Sequence, residues 1–80
     1  MAPSKTQIDE AIEQGKDEIK ADMEMGLVPA SVGSFSELHD HVDANEYAGL
    51  CDSRSDWDLD QMIAVQDGLD EWLKAGGVLA

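Results

Sequence analysis

The residue types able to do chemistry cluster in two stretches of the chain. Asp56, Asp58 and Asp60, with Ile63 and Asp67, fall on positions one, three, five, eight and twelve of an EF-hand calcium loop. Such a loop gathers hard carboxylate oxygens around the ion, and needs Gly at its sixth position and a bidentate Glu at its twelfth. Here Gln61 and Asp67 stand at those places, and a helical apolar period runs straight through the segment. The acids read instead as the opening turns of a helix, where the dipole favours negative charge. The second stretch is His39-Asp40-His41 with Asp43. Neighbours two apart on a helix point about 200° away from each other, so His39 and His41 cannot chelate one ion there. Cys51 with either histidine could pair a nucleophile with a base, but nothing marks an oxyanion donor or a substrate pocket. The expectation is therefore no enzyme, no metal and no cofactor.

Three helices must position these residues. Ser4-Lys5-Thr6-Gln7 fits a capping box, and Ile8, Ile12, Gly15, Ile19 and Met23 then recur on one helical face. Gly26 is the C-cap candidate, with Pro29 beyond it. Leu27, Val28 and Val32 make an unusually apolar connector. Ser34-Phe35-Ser36-Glu37 is a second capping box, opening a short helix with Phe35, Leu38 and Val42 on its apolar face. Ser55-Asp56-Trp57-Asp58 opens a third, whose stripe runs Leu59, Met62, Ile63, Val65, Leu69, Trp72 and Leu73 before Gly76-Gly77 stops it. No window alternates in the manner of a strand. The prediction is an all-α single domain over 1–80, with helices at about 5–25, 35–46 and 56–75. The middle helix is short, and the longer C-terminal helix is the core spine.

The eighty residues carry five Lys plus Arg against eighteen Asp plus Glu, a formal charge of −13. That balance excludes binding nucleic acid or an anionic membrane through a basic surface. Short apolar runs predict neither a membrane span nor a secretory signal. One cysteine allows no internal disulfide, which fits a reducing cytosol. Solubility alone asks for a net charge of magnitude roughly 2–8 in a small domain, so the excess needs a reason.

The acids are ordered. At about 100° per residue, Glu10, Glu13, Asp17 and Glu24 fall within a sector of about 60°, opposite the Ile stripe. Asp56, Asp60, Asp67 and Glu71, at spacings of four, seven and four, form a second row beside the third helix's stripe. One such row has about half the charge density of a DNA strand, which carries a charge every ~3.4 Å, and two rows together approach it. Few helical bases offset them: Lys16 and Lys20 on the first helix, and Lys74 near Asp70 and Glu71. The plain alternative is a solvated outer surface. Trp57 is read either as a staple folded back over the preceding loop or as an aromatic anchor among the acids.

Two families of this size invite comparison. Acyl carrier proteins are small, acidic and helical, but Asp52-Ser53 is followed by Arg54, and too few residues remain for the two helices that should follow. In size, charge and helical acid rows, the whole chain better resembles phage-encoded DNA mimics such as uracil-glycosylase inhibitors and many anti-CRISPR proteins. The segment 34–51 also resembles a stretch found in small proteins of phages and mobile elements. This class resemblance implies a non-enzymatic inhibitor acting in the cytoplasm of a bacterial host cell. It would block target-DNA binding by a basic nucleic-acid-binding complex, a type I CRISPR surveillance complex being the leading candidate. The expected partner-binding residues are Glu10, Glu13, Asp17, Glu24, Asp56, Trp57, Asp60, Asp67 and Glu71, on a monomer or weak homodimer. The alternative is a helical adaptor or antitoxin-like module that binds a protein through an apolar groove.

Overall fold

The computed structural model describes residues 5–50 and 56–79. Ser4, Cys51, Asp52, Ser53, Arg54 and Ser55 lie outside them, and with them the expected caps at Ser4 and Ser55. The elements in chain order are α1 (Lys5–Glu24), α2 (Phe35–Leu38), a 3-10 segment (Ala44–Gly49), α3 (Leu59–Lys74) and a 3-10 turn (Gly77–Leu79). The described residues contain no strand, and the fold is all-α.

The first helix ends where Gly26 predicts. Gly26 takes φ +79°, its N–H donates to the Met23 carbonyl at 3.2 Å, and the Leu27 N–H donates to the Asp22 carbonyl at 2.9 Å. This is a Schellman motif, which satisfies carbonyls the helix end leaves open. Beyond α3, Gly76 at φ +111° does the same work, with its N–H on the Leu73 carbonyl at 3.0 Å.

Helices α1 and α3 run in the same direction, because their contacts advance together: Ile12 meets Gly68, Gly15 meets Leu69, and Lys16 and Lys20 reach Trp72. The crossing is close because each helix offers a glycine notch to the other's side chain. A Cβ on Gly15 would lie 2.8 Å from Leu69 Cδ1, and one on Gly68 would lie 2.5 Å from Ile12 Cδ1. Beneath this pair lies a second layer, residues 27–50. Its Val28, Val32, Phe35, Leu38, Ala44, Tyr47, Ala48 and Leu50 are buried with Ile19, Val65, Leu69 and Leu73. The 3-10 segment packs under α1, and α2 under α3.

Three expectations need correction. The helix expected over 35–46 is a single α turn, capped by the Ser34 hydroxyl on the Glu37 N–H at 3.2 Å, followed by a turn and the 3-10 segment. Asp43 breaks it. Its backbone is extended and its carboxylate accepts the Asn45 N–H at 3.1 Å, an alternative to the helical hydrogen bond. The third helix begins at Leu59 and not at Asp56, since Asp58 is its extended N-cap. Ending the helix there lets Trp57 lie half-buried against the core, where a helical residue 57 would point towards solvent. Finally, Leu59 and Ile63 are not core residues: they are 68% and 40% exposed. Burial on α3 is confined to the strip Val65, Leu69 and Leu73, and the flank that carries Leu59 and Ile63 stays uncovered.

Candidate interaction surface

The acids divide into two populations by what they touch. Glu18 and Asp22 leave α1 on the edge of its apolar stripe and meet the 3-10 segment. The Glu18 carboxylate accepts the backbone N–H of Ala48 at 2.6 Å, and Asp22 accepts the Tyr47 hydroxyl at 2.6 Å. The Ala48 site is strained. This fully buried alanine holds φ +58° and ψ +15°, a left-handed conformation costing a non-glycine residue about 1 kcal/mol. A charge-assisted bond of the Glu18 kind contributes roughly 1.5–3 kcal/mol and offsets that cost. Burial pushes the Tyr47 hydroxyl well above its ordinary value of 10.0, and the neighbouring Asp22, Glu18 and Glu46 add to the shift.

On α3, Asp70 does the same for α2. It accepts the Phe35 N–H at 2.8 Å and the Lys74 ammonium at 2.7 Å. The bond from Lys74, then that from Phe35, holds its carboxyl below the ordinary value of 3.8, and Lys74 is correspondingly raised. Glu37 reaches back to the Gly33 N–H at 3.3 Å. These inner acids were not among the expected site residues. Their signal is positional: Asp22 continues the Ala11–Gly15–Ile19 stripe and Glu18 and Asp70 flank the buried stripes, whereas the row acids oppose them.

The row acids Glu10, Glu13, Asp17, Glu24, Asp60, Asp67 and Glu71 are all exposed. Asp56 is exposed too, but in the turn before α3, so it precedes the helical row and is not part of it. The packing decides how the two rows face. At ~100° per residue, the α1 residues that meet α3 centre about 120° from the α1 row, and the α3 residues that meet α1 centre about 120° from the α3 row, in the opposite rotational sense. For helices running in the same direction, opposite offsets tilt both rows to the same outward side. The rows therefore flank one face of the α1–α3 layer.

A seam separates them. Lys16 and Lys20 hold their ammonium groups 6.0 and 5.9 Å from the Trp72 ring centroid, within cation–π reach. Lys16 also bridges Glu13 at 3.3 Å, so that row member is partly compensated. The face thus reads acid strip, Lys–Trp seam, acid strip.

The other candidates are placed as follows. His39 is exposed and packs edge-on against Phe35 at 5.6 Å between ring centroids, and His41 is exposed. Among the described residues no three His, Cys, Asp or Glu side chains converge as a metal site, and no pocket opens. Asp58 sits at the α3 N-cap while Asp60 is in its first turn, so the EF-hand spacing is laid along a helix end. Ile8 and Ile12 are half-buried and Ile19 fully buried against the core. No described helix is long and apolar enough to cross a membrane. Compared with known proteins, the chain matches no family model, no curated protein and no solved structure.

Proposed function

We propose that this protein acts by binding, as a non-enzymatic inhibitor that sets its acidic face into a basic nucleic-acid channel of a bacterial defence complex. The observation that carries the reading is the common outward side of the two acid rows. Two negative strips on either side of a central seam offer Lys and Arg side chains the same alternation that two phosphate strands offer across a groove. A solvated surface needs no such order, and mixed signs would keep the chain soluble with less self-repulsion. By its class resemblance to small phage inhibitors, the first target to test is a type I CRISPR surveillance complex, whose channels hold guide and target through basic residues.

The experiment is target-DNA binding by the purified surveillance complex with and without this protein, across a salt series. Mimicry predicts loss of DNA binding, with inhibition weakening as salt rises. It also predicts that charge reversal at Asp60, Asp67 and Glu71 to Lys abolishes inhibition. Unchanged DNA binding overturns the reading, even if cleavage stops.

A further inference from the structure

The two acid strips differ in one respect that bears on how a partner is held. None of the large apolar side chains that stay exposed among the described residues lies on α1, whereas α3 carries Leu59 and Ile63, one turn apart on its flank, 68% and 40% exposed. Asp60 and Asp67 lie one turn to either side of Ile63 on the helix surface, and Asp56 and Asp58 precede Leu59. None of these four carboxylates is in an ion pair among the described residues, where the pairs are Lys5–Asp9, Lys16–Glu13 and Lys74–Asp70. The remaining exposed apolar residues, Met25, Leu27, Val78 and Leu79, belong to the turns after the helices and not to an acid-lined face.

We infer that the flank of α3 at Leu59 and Ile63, which borders its acid strip on the side away from α1, is a docking site, and that its occupant is a protein surface with an apolar floor and a Lys/Arg rim. Charge complementarity chooses that occupant. An apolar pair bordered by carboxylates that form no ion pair among the described residues repels a second copy of this chain, which would bring the same acids edge to edge. Basic side chains neutralise the bordering carboxylates while the apolar floor takes Leu59 and Ile63 out of water, an apolar contact with a charged border beside it. The α1 strip, with no apolar anchor, contributes attraction at a distance and so acts on the association rate. The inference rests on reading the acidic face as protein-facing, and it adds which helix holds the partner.

Two synthetic probes test it: an amphipathic Lys/Leu helical peptide, and an oligolysine of equal charge with no apolar face. The amphipathic peptide should bind the wild-type protein at least about tenfold more tightly than the L59S/I63S variant, while oligolysine should bind both alike. Amide shifts on peptide binding should centre on 59–67. Both side chains are exposed, so the double variant should keep its helical circular dichroism; if it does not, Ile63→Gln alone replaces it. Equal peptide binding by wild type and variant, or shifts centred on α1, overturns the inference. So does a dimer in light scattering that L59S/I63S dissolves, since the pair would then serve self-association. The surveillance complex separates the two readings. If the wild-type protein fails to displace DNA while the peptide still seats on α3, mimicry fails and the docking site stands. If L59S/I63S displaces DNA as well as wild type does, the docking site fails and mimicry stands.

Discussion

Glu18 and Glu10 are the same residue on the same helix, two turns apart, and they do opposite kinds of work. Glu18 turns inward to the Ala48 N–H, fixing a left-handed alanine that the 3-10 segment could not otherwise hold cheaply. Glu10 turns outward into a strip of like charges with no ion-pair partner among the described residues. The difference teaches that a net charge of −13 is not one property of this chain. Part of it substitutes for secondary structure: α2 and the 3-10 segment are too short to satisfy their own N–H groups, and carboxylates from the two long helices and from nearby turns accept them. Another part, the seven row acids, stays exposed on one side of the α1–α3 layer and adds to the self-repulsion of the compact state.

Removing an inner acid should have the largest effect. Glu18→Ala removes the carboxylate that accepts the buried Ala48 N–H, in a fold whose total stability should be roughly 4–12 kcal/mol. The expected loss is about 2–3 kcal/mol in urea unfolding, with faster hydrogen exchange at the Ala48 amide. Glu18→Gln keeps a neutral acceptor and should lose about half as much. An Ala variant as stable as the wild type would mean that the inner acids are merely solvated, and the two populations would collapse into one.

How much of this was legible in the sequence follows from the range of the interactions. The end of α1 is written locally, in a glycine placed where a left-handed residue must follow the last turn, and the Ser34 cap likewise. The break after Leu38 was also written locally, in Asp43, but an Asp inside an apolar period reads equally as a helix-surface residue. The roles of Glu18, Asp22 and Asp70 were not legible. Each meets its partner across 25 to 35 residues of sequence, and only the packing of the second layer beneath the first brings them together. The outer rows were legible because helical periodicity alone defines them. Their common side was not, since it depends on α1 and α3 running the same way.

A smaller effect separates the inner acids from one another by pH. The carboxyl of Asp70 is held below its ordinary value by the Lys74 and Phe35 bonds. A depressed folded value means that Asp70 contributes stability above the ordinary carboxyl value of 3.8, and that the contribution is lost as pH falls through the folded value. Asp70→Asn should therefore be less stable than wild type at neutral pH, by less than Glu18→Ala, because Asp70 is reached by solvent. The two unfolding curves should converge as the solution is acidified below that range. A constant gap at all pH values would show that the amide fails for steric reasons and that the Asp70 charge is immaterial.

The smallest expected change is the most discriminating. Glu10, Asp17, Asp67 and Glu71 accept no hydrogen bond from the second layer, and none is in an ion pair among the described residues. Asp60 is left intact because it lies in the first turn of α3, where the helix dipole favours its charge. Replacing the four by Gln and Asn removes like-charge repulsion and gives up only the attraction of Asp67 and Glu71 to the exposed Lys74, so stability should stay within about 0.5 kcal/mol of wild type or rise slightly. Salt should tell the two proteins apart. Wild type should gain urea resistance between low and high ionic strength as its outer charges are screened, and the neutralised variant should gain less. A loss approaching that of Glu18→Ala would show the outer acids to be structural after all. If the wild type blocks DNA loading and the stable variant does not, the outer charge is confined to the partner, because a group that contributes nothing to the fold and is lost only from binding has no other place to act.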